Sequence, residues 1–256
     1  MYIGFDCMTA KPLTKRIFLK AQWRYLAMLN YEVDPRLLAP FVPSGTELDY
    51  WDNKTFISLI GFRFLNTKVF GIAFPFHRNF DEVNLRFYVR RQHGTEIRRG
   101  VVFIREVVPR KAVAAMAKMF YGEPYVALPM SHSLRTNINT HVTYQWKLNG
   151  RWNRISILAV GDPVLPENDS AEQFITEHYW GYAAPKAKKC VEYEVRHPQW
   201  RVWKAQEAGF EGCAEKLYGH ELNALLQKEP ASAFLAQGSE VSVFRGTIVT
   251  ADETRV

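Results

Sequence analysis

Residues 101–108 read Val-Val-Phe-Ile-Arg-Glu-Val-Val, a pattern that few kinds of strand can carry. Successive strand side chains point to opposite faces, so apolar residues at nearly every position imply cover on both sides. Arg105 and Glu106 are adjacent and would each enter a covered layer, where a charge needs a partner. Residues 57–64 repeat the pattern with Arg63 among apolar neighbours, and residues 22–32 do so with Arg24 between Trp23 and Tyr25.

Strand-like segments follow one another along the chain. Residues 18–33 are extended until Asp34-Pro35 opens a short helix through Leu38. Residues 55–64 and 80–91 are strand-like, and residues 99–108 continue until Pro109. A helix is predicted over 112–120, ending near Gly122. Residues 139–148 and 152–160 form a hairpin through Asn149-Gly150-Arg151. Asp169-Ser170 caps a helix from Ala171 toward Tyr179, and residues 190–196 and 201–206 form a strand pair around His197-Pro198. A further helix over 214–227 has a tail through 231–236 before Gly238, and 241–249 is the last strand. About ten strands and three or four short helices are too strand-rich for alternating βαβ units. The expected fold is α+β, mainly β: a β-barrel or strongly curved antiparallel sheet with a few short peripheral helices. One domain over 1–256, with its core at about 17–250, accommodates it.

No apolar run is long enough to cross a bilayer, and Met1-Tyr2-Ile3-Gly4-Phe5-Asp6 lacks the features of a signal peptide, so a cytoplasmic protein without a membrane partner is expected. Cys7, Cys190 and Cys213 have neither metal-ligand nor disulfide-framework spacing and read as reduced thiols. The formal charge of +7 is scattered. Its densest clusters, Arg90-Arg91, Arg98-Arg99 and residues 186–189, fall at strand ends, where solvated charges protect edges, so no nucleic-acid partner is expected. No glycine-rich phosphate loop, nucleophile elbow or paired metal-binding histidines occur, and His132, His141 and His197 lack metal spacing. No cofactor and no metal are expected. A homo-oligomer is left open.

Between residues 80 and 90, Val83, Leu85, Phe87 and Val89 form one face and Glu82, Asn84, Arg86 and Tyr88 the other. Enclosed, the second face offers the convergent polar set that orients a ligand; turned outward, it is an ordinary solvated face. Arg105 and Glu106 likewise serve either structural ion pairs or a ligand. Arg24, Arg63, Arg86 and Arg105 together place an excess of guanidiniums near carboxylates, which suits a small organic acid. In that arrangement Arg24 and Arg105 hold the carboxylate, Glu82 or Glu106 acts as acid or base, and Tyr88 helps exclude water. His178 and Tyr182 flank an aromatic cluster that either caps the pocket or fills the core, and His77 belongs to a loop.

Trp23-Arg24-Tyr25-Leu26, Pro75-Phe76-His77-Arg78-Asn79-Phe80-Asp81-Glu82-Val83-Asn84-Leu85-Arg86, Glu177-His178-Tyr179-Trp180-Gly181-Tyr182 and His197-Pro198-Gln199-Trp200 resemble the YqjF-like family of uncharacterised proteins. Arg24, the passage 42–48, Arg105-Glu106 and Pro109-Arg110-Lys111 are more distantly similar to acetoacetate decarboxylase, whose family fold is a β-barrel with a deep pocket. That resemblance places Arg110 where the family has its Schiff-base lysine. A guanidinium cannot form the imine, so Arg110 would supply fixed positive charge, and Lys111 could be the nucleophile only with a one-residue shift. Two function classes follow: an enzyme applying lyase or hydrolase-type acid-base chemistry to a small carboxylic acid, and a non-catalytic protein that binds or senses a metabolite. A protein-interaction domain is a third, and would show an exposed apolar patch instead of a cavity.

Overall fold

The computed structural model describes residues 16–186 and 189–249. Cys7, the opening residues read above, and positions 187 and 188 of the basic cluster lie outside the described residues. Within them, fourteen strands form one sheet. The first six are β1 (Ile17–Val33), β2 (Glu47–Leu48), β3 (Thr55–Val69), β4 (Phe80–His93), β5 (Glu96–Val108) and β6 (Tyr125–Ala127). β7 (Met130–Thr136), β8 (Thr140–Leu148), β9 (Arg151–Val164) and β10 (Trp180–Lys186) follow, then β11 (Lys189–Arg196), β12 (Val202–Glu211), β13 (Ser232–Phe244) and β14 (Thr247–Val249). The short helices are α1 (Pro35–Leu38), α2 (Lys111–Tyr121), α3 (Ala171–Thr176), α4 (Glu215–Tyr218) and α5 (His220–Leu226).

The main path runs β14-β11-β10-β5-β4-β3-β1-β13-β12-β9-β8-β7. β11 also meets β13 at Val195–Val243 and Arg196–Ser242, so the sheet curls until it touches itself. The strands at its centre are covered on both faces. Leu59, Leu85 and Val107 belong to one buried layer with Tyr144 and Trp146 of β8. Ile60, Phe62, Tyr88 and Val101 face the inside of the curl. This two-sided cover explains why residues 101–108 are apolar at almost every position.

Local signals account for several boundaries. Asp34 accepts a hydrogen bond from the Arg36 amide at the start of α1, and Gly122, at φ 71°, closes α2. Asn149 and Gly150 both have positive φ, as a two-residue hairpin turn demands, and they join β8 to β9. Other expectations need correction. The helix expected over 214–227 breaks at Gly219, whose φ of 84° is not helical, into α4 and α5. Its supposed tail is strand: Ala233, Phe234, Leu235 and Ala236 pair with β1, and three of them also with β12. Residues 190–196 and 201–206 do not pair with each other, because β11 joins β10, β13 and β14 while β12 joins β9 and β13.

The arginine clusters at the strand ends are not simply solvated. Arg91 is only 2% exposed and lies 3.3 Å from Glu192, which Arg98 also meets at 2.6 Å. The Tyr182 hydroxyl donates to the same carboxylate at 3.0 Å, so this tyrosine serves a structural network. Arg99 likewise bonds to buried Asp49.

Candidate functional site

The inside of the curl holds a cavity of about 110 Å³ that opens to solvent. Alternation along β4 directs Glu82, Asn84 and Arg86 into it, opposite Phe62, Ile60 and Ser58 of β3. On β5 the register slips between the partners of Leu85 and Arg86. This bulge reverses the parity of the strand, so Val101 and Phe103 share the cavity face with Glu106 while Arg105 pairs across the other face with Leu85. A similar irregularity in β1, where Tyr25 has φ 54°, puts Trp23 and Leu26 on the cavity side and Arg24 on the other.

Glu82 accepts hydrogen bonds from Asn84 Nδ2 at 3.0 Å and from the Tyr125 hydroxyl at 2.9 Å. Glu123 accepts one from the Tyr193 hydroxyl at 2.8 Å. Arg86 donates to the Ile175 carbonyl at 3.2 Å and forms no ion pair within 4 Å among the described residues. His178 Nε2 donates to Asp49 Oδ2 at 3.0 Å, and its ring packs against Tyr88 and Phe174 at centroid distances of 4.8 and 4.9 Å. Among the described residues, five buried atoms of cavity-lining side chains have no protein hydrogen-bond partner: Trp23 Nε1, Asn84 Oδ1, Arg86 Nε, Glu106 Oε2 and His178 Nδ1. Such atoms are uncommon and costly to leave unpaired, and here they gather round one space.

Burial sets the charge of this space. It raises Glu82 to about 7 against the opposing influence of Asn84, Tyr125 and Arg86. Burial, with the neighbouring Glu82, raises Glu123 to about 8, and burial with Glu123 and Glu82 pushes Glu106 well above the usual range. Glu106 and Glu123 are therefore largely neutral near pH 7 and Glu82 is about half ionised, so the charge of Arg86 is only partly compensated. Burial would also raise Asp49, but hydrogen bonds from His178 and Arg99, and their charges, outweigh it and hold Asp49 at about 2. Burial lowers His178 despite Asp49, so Nδ1 is a bare acceptor when Nε2 carries the proton. His197 is lowered to about 4, again chiefly by burial.

These shifts predict a pH dependence of stability. A glutamate whose pKa is raised in the fold contributes stability that is complete below the unfolded value of about 4.3 and is lost as pH rises through the folded value. His178 and His197, depressed in the fold, act in the opposite sense up to about pH 6.5. Urea midpoints should therefore fall between about pH 6.5 and 8.5, each glutamate contributing at most about 1.4 kcal/mol per pH unit. Glu123→Gln, which keeps an acceptor for Tyr193, should flatten that fall; an equally steep fall in the variant would refute the neutral carboxyl.

Of the residues singled out from the sequence, Glu82, Asn84, Arg86, Glu106 and His178 line the cavity. Tyr88 is buried behind them, its hydroxyl 2.6 Å from Ser58 Oγ and its ring 5.7 Å from the Arg86 guanidinium. Arg24 instead donates to the Gly238 carbonyl, and Arg63 lies 3.5 Å from Asp81, which also bonds His132. With Arg105 turned away by the bulge, the carboxylate grip expected of Arg24 and Arg105 does not form. Arg110 and Lys111 are exposed at the start of α2, and among the described residues no lysine lines the cavity. His77 bonds to the Pro75 carbonyl outside the cavity. Sequence reasoning missed Asp49, Glu123, Tyr125 and Tyr193, and it weighed His197 only as a metal ligand. Glu123 follows the helix-ending Gly122 directly, the one local sign that it turns back toward the sheet.

The solved structures similar to this chain share its fold. The enduracididine biosynthesis enzyme MppR complexed with pyruvate matches at TM-score 0.66 and 13% identity, covering 98% of each chain. Acetoacetate decarboxylase from Legionella pneumophila matches at TM-score 0.64 and 15% identity, covering 95% of this chain and 93% of that one. An acetoacetate decarboxylase-like enzyme from Sphingomonas wittichii RW1 gives 0.64 and 11%, covering 96% and 99%. The uncharacterised protein YqjF of Bacillus subtilis is 23% identical over 189 residues, which are 73% of this chain and 76% of YqjF. The mainly β, strongly curved acetoacetate decarboxylase-like fold is thus established, as is the kinship with YqjF. With residues 20–240 matching its model, the chain belongs to DUF2071, a family of uncharacterised conserved proteins.

Proposed function

We propose that the cavity binds a small organic acid, with Arg86 holding its carboxylate and the buried carboxyls Glu82 and Glu106 exchanging protons with it. The five unpartnered buried polar atoms around one space carry this reading, because the carboxylate and carbonyl oxygens of a bound keto acid would accept from the unpaired donors, and its enol hydroxyl or an accompanying water would donate to His178 Nδ1 and Asn84 Oδ1. The electrostatics support the sign of the ligand: with Glu106 and Glu123 neutral and Glu82 about half ionised near pH 7, the buried Arg86 guanidinium is only partly balanced among the described residues. The pyruvate bound to MppR favours a 2-keto acid as the first candidate. Imine formation has no support among the described residues, since Arg110 and Lys111 lie outside and the described lining includes no amine. Acid-base chemistry is left, through Glu106 as a neutral proton donor or His178 Nδ1 as an acceptor.

Calorimetric titration with pyruvate and acetoacetate, each beside its amide, tests the proposal. Saturable binding of the acids, with the amides at least about 30-fold weaker, is expected for a charge-assisted contact worth about 2 kcal/mol or more. Equal affinity for acid and amide, or no binding of either, would overturn it. Proton NMR of the bound mixtures over hours separates an enzyme, which changes the acid, from a protein that only holds it.

A further inference from the structure

The cavity is not polar throughout. Its groups of opposite character are segregated across the sheet: Glu82, Asn84, Arg86 and Glu106 come from β4 and β5, whereas β3 and β1 contribute Phe62, Phe64 and Trp23. Trp200 completes this second wall from the segment before β12. Trp23 meets Phe62, Phe64 and Trp200 in inclined, edge-type contacts at centroid distances of 5.5, 5.7 and 6.2 Å. Trp200 is fixed by its indole N–H, which donates to Ser239 Oγ at 2.9 Å, and by a stacked His197 ring at 4.0 Å. His197 in turn lies close enough to Arg86 for the guanidinium charge to act on it. The aromatic wall and the cation thus line one cavity.

Rigid rings that are already packed lose little freedom on binding, so such a wall favours a flat apolar body over a flexible chain. A three-carbon acid held at Arg86 brings no ring to this wall and would leave the cavity's aromatic end wet. Trp23 Nε1 adds a donor without an acceptor at that end.

We infer that the natural ligand is an aryl-substituted acid, its carboxylate at Arg86 and its planar ring against the wall formed by Trp23, Phe62 and Trp200. The inference rests on the organic-acid reading of the same cavity and names the ligand class. Ring atoms would replace water against the indoles, and a ring substituent able to accept a hydrogen bond would pair with Trp23 Nε1.

Titrations of the full chain with phenylpyruvate, pyruvate and phenylacetamide, followed by calorimetry and tryptophan fluorescence, distinguish the outcomes. Phenylpyruvate should bind about 100-fold more tightly than pyruvate, the gain expected from burying one phenyl ring, and should quench the fluorescence. Trp200→Leu should lower phenylpyruvate affinity at least about 10-fold. Trp200→Phe, which retains a ring, should recover much of the loss, with melting temperatures showing that both variants fold. Equal affinity for the two keto acids would overturn the aryl inference while the organic-acid reading stood. Phenylacetamide binding as tightly as phenylpyruvate would overturn the organic-acid reading and leave only an aryl site, and no binding by any of the three would overturn both.

Discussion

Arg86→Met should weaken keto-acid binding by roughly 10²–10³-fold while the protein stays folded, because truncating one partner of a buried charge pair costs about 2–5 kcal/mol or more. Methionine retains much of the arginine stem and takes away the guanidinium. The free protein loses one hydrogen bond to the Ile175 carbonyl and the packing on Tyr88, but no buried carboxylate is stranded, since Glu106 and Glu123 are largely protonated and Glu82, no longer lowered by the guanidinium, takes up a proton more readily. The urea midpoint should therefore shift little. Arg86→Lys should recover part of the affinity, as a point charge replaces a planar fork. Arg24→Met makes the matching control: its side chain bonds to Gly238 on the opposite face, so acid binding should persist. Calorimetry of the three variants decides the matter. Undiminished binding by Arg86→Met would place the carboxylate elsewhere.

Gly238→Ala should cost about 3 kcal/mol or more and lower the melting temperature by roughly 6–12 °C, among the larger effects a single methyl can produce in a chain of this size. Gly238 sits at φ 73° opposite Arg24, and a Cβ there would lie 2.0 Å from the Trp23 carbonyl oxygen. Backbone cannot rotate away as a side chain can, so β1 and β13 must separate locally, and Trp23 moves with them. Gly94→Ala provides the contrast, because φ is 57° there but nothing lies within 4 Å of the added methyl. Conformational cost alone should hold that variant's loss to about 1–2 kcal/mol. Thermal unfolding of the two proteins separates steric overlap from backbone strain; similar losses would show that the close approach of β1 to β13 has no energetic weight.

The sequence exposed the alternation of Glu82, Asn84, Arg86 and Tyr88 because β4 is regular, and period two survives wherever a strand has no bulge. It left open which side was enclosed, since that depends on the curl of the whole sheet. Arg105 and Glu106 show what local pattern cannot supply. Their assignment to opposite layers is certain from adjacency, but which of them turns inward depends on one extra residue in the pairing with β4, and no residue type marks it. The same holds for Arg24 and Trp23 on β1. Asp49, Glu123 and His197 reach the site from connections between elements, where no periodicity exists to read. The mistaken helix over 231–236 had a physical cause too: Ala-Ser-Ala-Phe-Leu-Ala favours helix by propensity, and pairing with β1 and β12 overrides it.

The place where β11 meets β13 is a seam of two residue pairs, whereas β1 is zipped to β3 and β13 along most of its length. Val195 and Val243 form one of those pairs and also touch the cavity. Parting them would breach the chamber at a cost far below that of unravelling the sheet, so a bulky guest could enter by a local breath of the wall while the floor beneath Arg86 keeps its shape.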